Sequence, residues 1–167
     1  MPDKENRTFR ATAVVLRHVE FGEADRILTL FTLERGKIQA IAKGVRKIRS
    51  RKAGHLEPFT RVALFLAKGR NLAVVTQAEA LESYPGIRAD LQRTALAAYM
   101  VELLDRFSQE EGENRQLFHL LVDSLGRLNK DEQPETVVRY YEVQLLDLLG
   151  FRPELTYCVA CRAEIKP

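Results

Sequence analysis

The residues of this sequence that could do chemistry are mostly cationic, and they concentrate in one stretch. Between positions 43 and 52, six of the ten residues are basic and none is acidic. A dense run of ammonium and guanidinium groups suits a polyanion such as a nucleic acid. A solvated charged loop or a basic localisation patch would show the same run, so the pattern leaves these interpretations open. The six residues are Lys43, Arg46, Lys47, Arg49, Arg51 and Lys52.

A pair of cysteines near the end of the sequence is the second candidate site. Cys158 and Cys161 have the spacing of two thiolates that bind one tetrahedral zinc ion, or of a redox pair. A redox pair is expected near a βαβ unit, whereas a helical pattern precedes this one, so half of a zinc site is favoured. A structural zinc site needs four ligands, and the sequence contains no second cysteine pair. The two residues are therefore half of a larger site or two simple thiols.

Patterns that indicate catalysis are not found in the sequence. The histidines His18, His55 and His119 lie in no recognisable nucleophile or metal motif, and the Gly-x4-Gly-Lys-Ser/Thr phosphate loop is absent. Three carboxylates near Gly22 could form a paired-carboxylate site, but a solvated turn is favoured because nothing in the pattern would perturb their pKa values. These carboxylates are Glu20, Glu23 and Asp25. The chain is therefore predicted not to be an enzyme.

Two kinds of periodicity define the elements that must position these residues. Five segments of the first eighty residues are apolar or alternate at period two, with turn signals between them, which predicts five strands. The predicted strands are Phe9–Val19, Arg26–Leu33, Lys37–Lys43, Phe59–Ala67 and Leu72–Ala80. From Leu91 onward, three stretches show helical spacing. Asn114 is expected to cap the second helix, Pro134 to lie in the first turn of the third, and Gly150 to end it.

We therefore predict an α+β fold with two domains. Residues 1–82 are expected to form a five-stranded OB-type β-barrel that binds nucleic acid, and residues 83–167 a helical bundle that ends in the partial CxxC region. A closed barrel leaves no exposed strand edge at this size, and an SH3-like barrel is the nearest alternative.

An OB barrel binds single strands with a cationic groove and aromatic platforms, so further residues should complete the basic loop. We place Lys37 and Arg70 in the groove, because one strand and the last hairpin can lie close to the loop. Phe65 is the stacking candidate because alternation puts it opposite a row of apolar residues. The other interpretation of Phe65 is a residue packed under the helical domain. The apolar row consists of Val62, Leu64 and Leu66.

The charge of the chain is uneven along its length. The net charge is +3, but residues 1–80 carry 16 basic and 8 acidic residues, whereas residues 81–167 carry 10 basic and 15 acidic ones. The basic half can attract a polyanion, and the acidic half is better suited to a protein partner. There is no apolar run of ~18 residues, no leader-like start and only two cysteines, which predicts a cytoplasmic protein.

Six short motifs occur in an order and spacing that cover nearly the whole chain. They are Glu23-Ala-Asp25-Arg26-Ile-Leu-Thr-Leu-Phe-Thr, Gly36-Lys-Ile-Gln-Ala-Ile-Ala-Lys-Gly-Val-Arg-Lys47, Leu56-Glu-Pro-Phe59, Gly69-Arg70, Gln77-Ala78-Glu79 and Cys158-x-x-Cys161. Taken together, they resemble the RecO family, the bacterial recombination mediators of the RecF pathway. The resemblance rests on the set, since no single motif is diagnostic.

The resemblance implies an N-terminal OB fold, a helical domain with an inserted zinc finger, and a non-catalytic role in DNA repair and recombination after DNA damage. RecO-like proteins bind single- and double-stranded DNA, anneal complementary strands, and contact RecR and the single-strand-binding protein SSB. Together these proteins help RecA load onto SSB-coated single strands. A bacterial, nucleoid-associated location follows, with no membrane and no small-molecule substrate.

The sequence departs from the family pattern at its cysteines. Members with the finger carry a second cysteine pair, and some members carry none. Cys158 and Cys161 are therefore expected to be two of four zinc ligands in the full-length protein, with little tightly held zinc in this chain.

Two functions of other classes stay open at this point. One is a protein–protein adaptor whose OB-like barrel binds no nucleic acid, although an adaptor has no need for the many cations between Lys37 and Arg70. The other is a thiol oxidoreductase, which would require a depressed thiol pKa at Cys158 or Cys161.

Overall fold

A computed structural model describes residues 7–109, 112–130 and 133–165 of the chain. Within these residues, five strands come first and are followed by four helices. The strands are β1 (Thr8–Phe21), β2 (Asp25–Thr32), β3 (Gly36–Ala42), β4 (Arg61–Ala67) and β5 (Ala73–Glu82). The helices are α1 (Pro85–Arg88), α2 (Leu91–Phe107), α3 (Arg115–Leu128) and α4 (Pro134–Leu148), and a 3-10 turn at Ala53–His55 lies between β3 and β4.

The strands form a closed barrel in the order β1-β2-β3-β5-β4. Strand β1 is long enough to pair antiparallel with β4 through its first half and with β2 through its second half. Strands β3 and β5 are parallel, with Ala40 beside Ala73. This closed five-stranded order confirms the predicted α+β fold with an OB-type barrel.

Alternation along the strands fills the barrel. In β4 the outward-facing residues at odd-numbered positions are partly exposed. Val62, Leu64 and Leu66 face inward and are buried, as the period-two pattern predicts. They pack with the inward residues of the other strands and with two residues of the β3–β4 connection, Val45 and Leu56. The connection is therefore held partly by apolar burial, each such side chain contributing about 1.5–3 kcal/mol.

The helices pack on one side of the barrel and share a second core with it. Val14, Leu16 and Phe31 face outward from β1 and β2 and are buried among the helices. A bulge in β1 between Val15 and Arg17 shifts the alternation locally. The outer surface of β1 and β2 is therefore covered at one end, by Val14, Leu16 and Phe31, and is bare at the other, where Val19 and Phe21 are each 53% exposed.

The helix ends follow the predicted capping residues. The side chain of Asn114 accepts a hydrogen bond from the Leu117 N–H at 3.0 Å, and Pro134 occupies the first turn of α4. Asp90 caps α2 in the same way, accepting from the Arg93 N–H at 2.9 Å.

Several strand boundaries differ from the prediction, and one short helix was not predicted. β1 continues through Phe21 instead of ending at Val19, because Phe21 still pairs with Asp25 across the short turn at Gly22. β4 begins after Phe59, whose φ of 70° is incompatible with a strand. The short helix α1 was missed, since its four residues carry too little periodicity to be recognised.

Candidate nucleic-acid interface

The basic stretch forms a loop that leaves the end of β3 and lies against the turn between β1 and β2. Gly44 turns the chain with a φ of 64°, and its N–H donates to the Asp25 carboxylate at 2.7 Å. The next residue, Val45, is fully buried in the barrel core. The start of the loop is therefore fixed by a hydrogen bond and by an apolar anchor.

Arg46 is a second anchor of the loop and not a free cation. Its backbone N–H donates to the Ala24 carbonyl at 2.9 Å. Its guanidinium lies 3.2 Å from the Glu20 carboxylate and donates to the Gly22 carbonyl at 3.4 Å. These contacts bind the loop to both sides of the β1–β2 turn.

Lys52 fixes the far end of the loop. Its ammonium donates to the carbonyls of Lys43, at 3.2 Å, and Val75, at 3.1 Å. The contact with Val75 joins the loop to β5, and Leu56 follows as a fully buried residue of the barrel core. The loop is thus held at its start, its middle and its end.

Four basic side chains of this stretch are exposed. Within the described parts of the chain, none of these four side chains forms an ion pair or a side-chain hydrogen bond. Their charges are available to an external anion, and they belong to one short segment whose backbone is anchored at the β1–β2 turn. We call these residues the loop cations: Lys43, Lys47, Arg49 and Arg51.

Lys37 lies away from this surface. Its side chain is only 12% exposed, and its ammonium donates to the Asp105 carbonyl at 2.6 Å and lies 3.3 Å from the Asp105 carboxylate. Arg17 contacts the same carboxylate at 3.1 Å. The predicted phosphate ligand Lys37 is instead part of the contact between the barrel and α2.

Arg70 is exposed but lies on another part of the barrel. Ala40 of β3 pairs with Ala73 of β5 in parallel, so the hairpin that carries Arg70 precedes this pair, whereas the loop follows it. Arg70 and the loop cations therefore lie on opposite sides of the Ala40–Ala73 pair. The structure does not bring them together.

Phe65 and Phe21, two of the phenylalanines on the outside of the barrel, differ in position. Phe65 lies between Arg10 and Gln77 on the β1–β4–β5 side and is partly buried. It is not among the residues that pack against the helical core. Phe21, at the end of β1 beside the loop, is 53% exposed and was not predicted, because the strand was expected to stop at Val19.

Two of the three carboxylates near Gly22 contact the loop. Glu20 is the ion-pair partner of Arg46, and Asp25 accepts the Gly44 N–H. Two histidines also have structural partners: His18 lies 3.7 Å from the Glu57 carboxylate, and the His55 ring accepts the Ala80 N–H at 3.1 Å. These contacts give structural partners to four of the six groups that the sequence offered for acid–base chemistry.

The two cysteines lie in a tight chain reversal. Cys158 donates its N–H to the Ala163 carbonyl at 2.8 Å, and Arg162 donates back to the Cys158 carbonyl at 2.9 Å. The backbone N–H groups of Cys161 and Ala160 donate to the Cys158 sulfur, which holds the pKa of that thiol below its usual value. The described residues contain no group of three or more potential metal ligands.

Comparisons with known proteins cover both halves of the chain. The family model for the N-terminal part of recombination protein O matches residues 7–84, and the model for its C-terminal part matches residues 88–167. DNA repair protein RecO of Roseiflexus sp. is 44% identical over 158 residues, which are 95% of this chain and 56% of that protein. DNA repair protein RecO of Dehalococcoides mccartyi is 40% identical over 157 residues, 94% of this chain and 62% of that protein.

Among the described residues, no helix is long and apolar enough to cross a bilayer. The chain spans about three fifths of the length of the curated relatives it matches. Both family models and these identities agree with the observed succession of barrel and helices. The chain belongs to the RecO family of recombination proteins.

Proposed function

We propose that this chain is a non-catalytic recombination mediator of DNA repair that binds DNA through the loop cations. The observation that carries the proposal is the contrast within one loop. Val45, Arg46 and Lys52 hold its backbone to the barrel, while the loop cations project without partners. Side chains presented in this way neutralise phosphates and release counterions, which favours binding to any DNA sequence.

The same contacts suit single-stranded and double-stranded DNA, since phosphate binding carries no sequence information. The RecO family membership and the relatives' name, DNA repair protein, support DNA as the polyanion. The structural roles of Glu20, Asp25 and His55 support a binding function without catalysis.

The test is a salt titration of binding to a fluorescent oligo-dT. The variant replaces Lys47, Arg49 and Arg51 together by Gln. Each phosphate contact contributes about 0.7 to the slope of log K against log salt for single strands. The slope should therefore flatten by up to about 2, and affinity at about 50 mM salt should fall on the order of 100-fold.

A matched control removes three charges from the helical half instead, at Arg106, Lys130 and Arg152, all of which are exposed. It has the same net charge as the loop variant and should keep the parent's slope. If both variants lose affinity equally, only net charge matters and the loop is not the site. If the parent binds neither oligo-dT nor duplex, the adaptor function takes precedence.

We also infer from family membership the wider RecO roles: strand annealing, contact with RecR and SSB, and help in loading RecA onto SSB-coated single strands. These are activities of whole RecO proteins, of which this chain spans about three fifths. Annealing should depend on the loop cations, because they reduce the repulsion between two complementary strands. The annealing rate of complementary oligonucleotides should therefore fall in the loop variant and stay unchanged in its control.

We further propose that Cys158 and Cys161 are two of four zinc ligands in a longer chain. The chain reversal and the lowered Cys158 pKa support the proposal, because cysteine binds zinc as the thiolate. Zinc bound there would tie the reversal to the elements that supply the remaining ligands. Metal analysis of the 167-residue chain should give far less than one zinc per protein after dialysis, and stoichiometric zinc would contradict the ligand count.

A further inference from the structure

An apolar row crosses the bare end of the barrel's outer surface. Val19 of β1 pairs with Ile27 of β2, Ile27 pairs with Ile41 of β3, and Ile41 pairs with Val74 of β5. Residues paired in this way project from the same side of a sheet. Four strands therefore contribute one apolar side chain each to a continuous strip.

The strip faces away from the barrel core. Its neighbours along β2 and β3, Leu28 and Ala40, are fully buried inside the barrel, so the intervening positions project outward. Val19 is 53% exposed, and no residue of the strip belongs to either core or packs against one. Ile27, Ile41 and Val74 are partly buried, and Val19 is the exposed member of the strip.

Phe21 extends the strip at the end nearest the basic loop. It lies two residues beyond Val19 on the same side of β1, and it is also 53% exposed. Arg46 contacts Glu20 and Gly22, the residues on either side of Phe21, and thereby holds the loop next to it. An aromatic ring and an apolar strip thus lie beside the loop cations.

This combination matches a single strand better than a duplex. A single strand offers charged phosphates along one side and unstacked base faces along the other, whereas a duplex hides the base faces. Cations on one border and an aromatic ring on the adjoining surface complement both features. Charge alone would not distinguish the two forms of DNA.

We propose that Phe21 is the base-stacking residue of this chain, and that a single strand lies over the strip formed by Val19, Ile27 and Ile41 with its phosphates on the loop cations. The proposal rests on the proposed function and adds to it the preference for unpaired bases. Phe65, the residue predicted from alternation, pairs with Arg10 and Gln77 and is partly buried, whereas Phe21 is 53% exposed.

The experiment compares oligo-dT with an abasic oligonucleotide of the same length, which keeps the phosphates and lacks the bases. Phe21→Ala should bind oligo-dT roughly 5- to 100-fold more weakly, as for loss of one stacked base, with the salt slope unchanged. Its binding to the abasic strand should equal the parent's. Phe21→Trp should restore oligo-dT binding, because stacking needs only an aromatic face.

Phe65→Ala is the matched control and should change oligo-dT binding less than twofold. Equal losses on oligo-dT and the abasic strand, or failure of Phe21→Trp to restore binding, would overturn the stacking role of Phe21. A larger loss for Phe65→Ala would assign the stacking platform to Phe65 instead. The proposed function stands or falls separately, since it depends on the salt slope of the loop variant.

Discussion

Lys37 and Arg49 carry the same charge in neighbouring motifs, yet the fold uses them differently. The Lys37 side chain is 12% exposed, and its ammonium contacts both the backbone carbonyl and the carboxylate of Asp105. Arg49 is exposed in a loop whose anchors are other residues. A cation that already has a carboxylate partner contributes to the fold, and one without a partner is available to phosphate.

The same difference separates the two ends of the barrel's outer surface. At one end Phe31 is 1% exposed beneath the helices. At the other end Val19 and Phe21 are 53% exposed beside the basic loop. One end is an intramolecular interface and the other is free for a partner, although both belong to the same pair of strands.

The covered end should show the largest effect on stability. Phe31→Ala should lower the free energy of unfolding by about 3–5 kcal/mol, because it removes a fully buried ring from the shared core. Urea denaturation would measure the change. Val19→Ala at the bare end is the control and should cost less than about 1 kcal/mol. Similar losses at both positions would mean that the bare end is covered as well.

Asp105→Ala should have a smaller effect, again on stability and not on DNA binding. It leaves Lys37 and Arg17 without their carboxylate, and Lys37 is largely shielded from water. We expect a loss of roughly 1–2 kcal/mol, reduced by the partial exposure of the pair. The slope of log K against log salt should stay at the parent's value. A flatter slope would show that this cluster contacts DNA.

Much of the fold follows from local patterns that the sequence displays directly. The inward positions of β4 and the cap at Asn114 were predicted correctly, because alternation and capping depend on residues a few positions apart. The cation run was also located correctly as a loop after β3. Its DNA-binding role stays a prediction.

Which cations are paired within the fold and which stay unpaired could not be predicted, because the pairing depends on contacts between distant parts of the chain. Lys37 meets Asp105 across 68 positions, and Arg46 meets Glu20 through the pairing of β1 with β2. Phe21 was missed for a related reason. Its strand continues only because Asp25 folds back beside it across a turn.

The central claim is tested most directly by two single substitutions, Arg49→Gln and Lys37→Gln, which remove one charge each. Binding to oligo-dT would be titrated from about 50 to 300 mM salt for both variants and the parent. Arg49→Gln should flatten the slope of log K against log salt by about 0.7, and Lys37→Gln should leave it unchanged. An equal or larger flattening for Lys37→Gln would contradict the assignment of DNA binding to the loop cations.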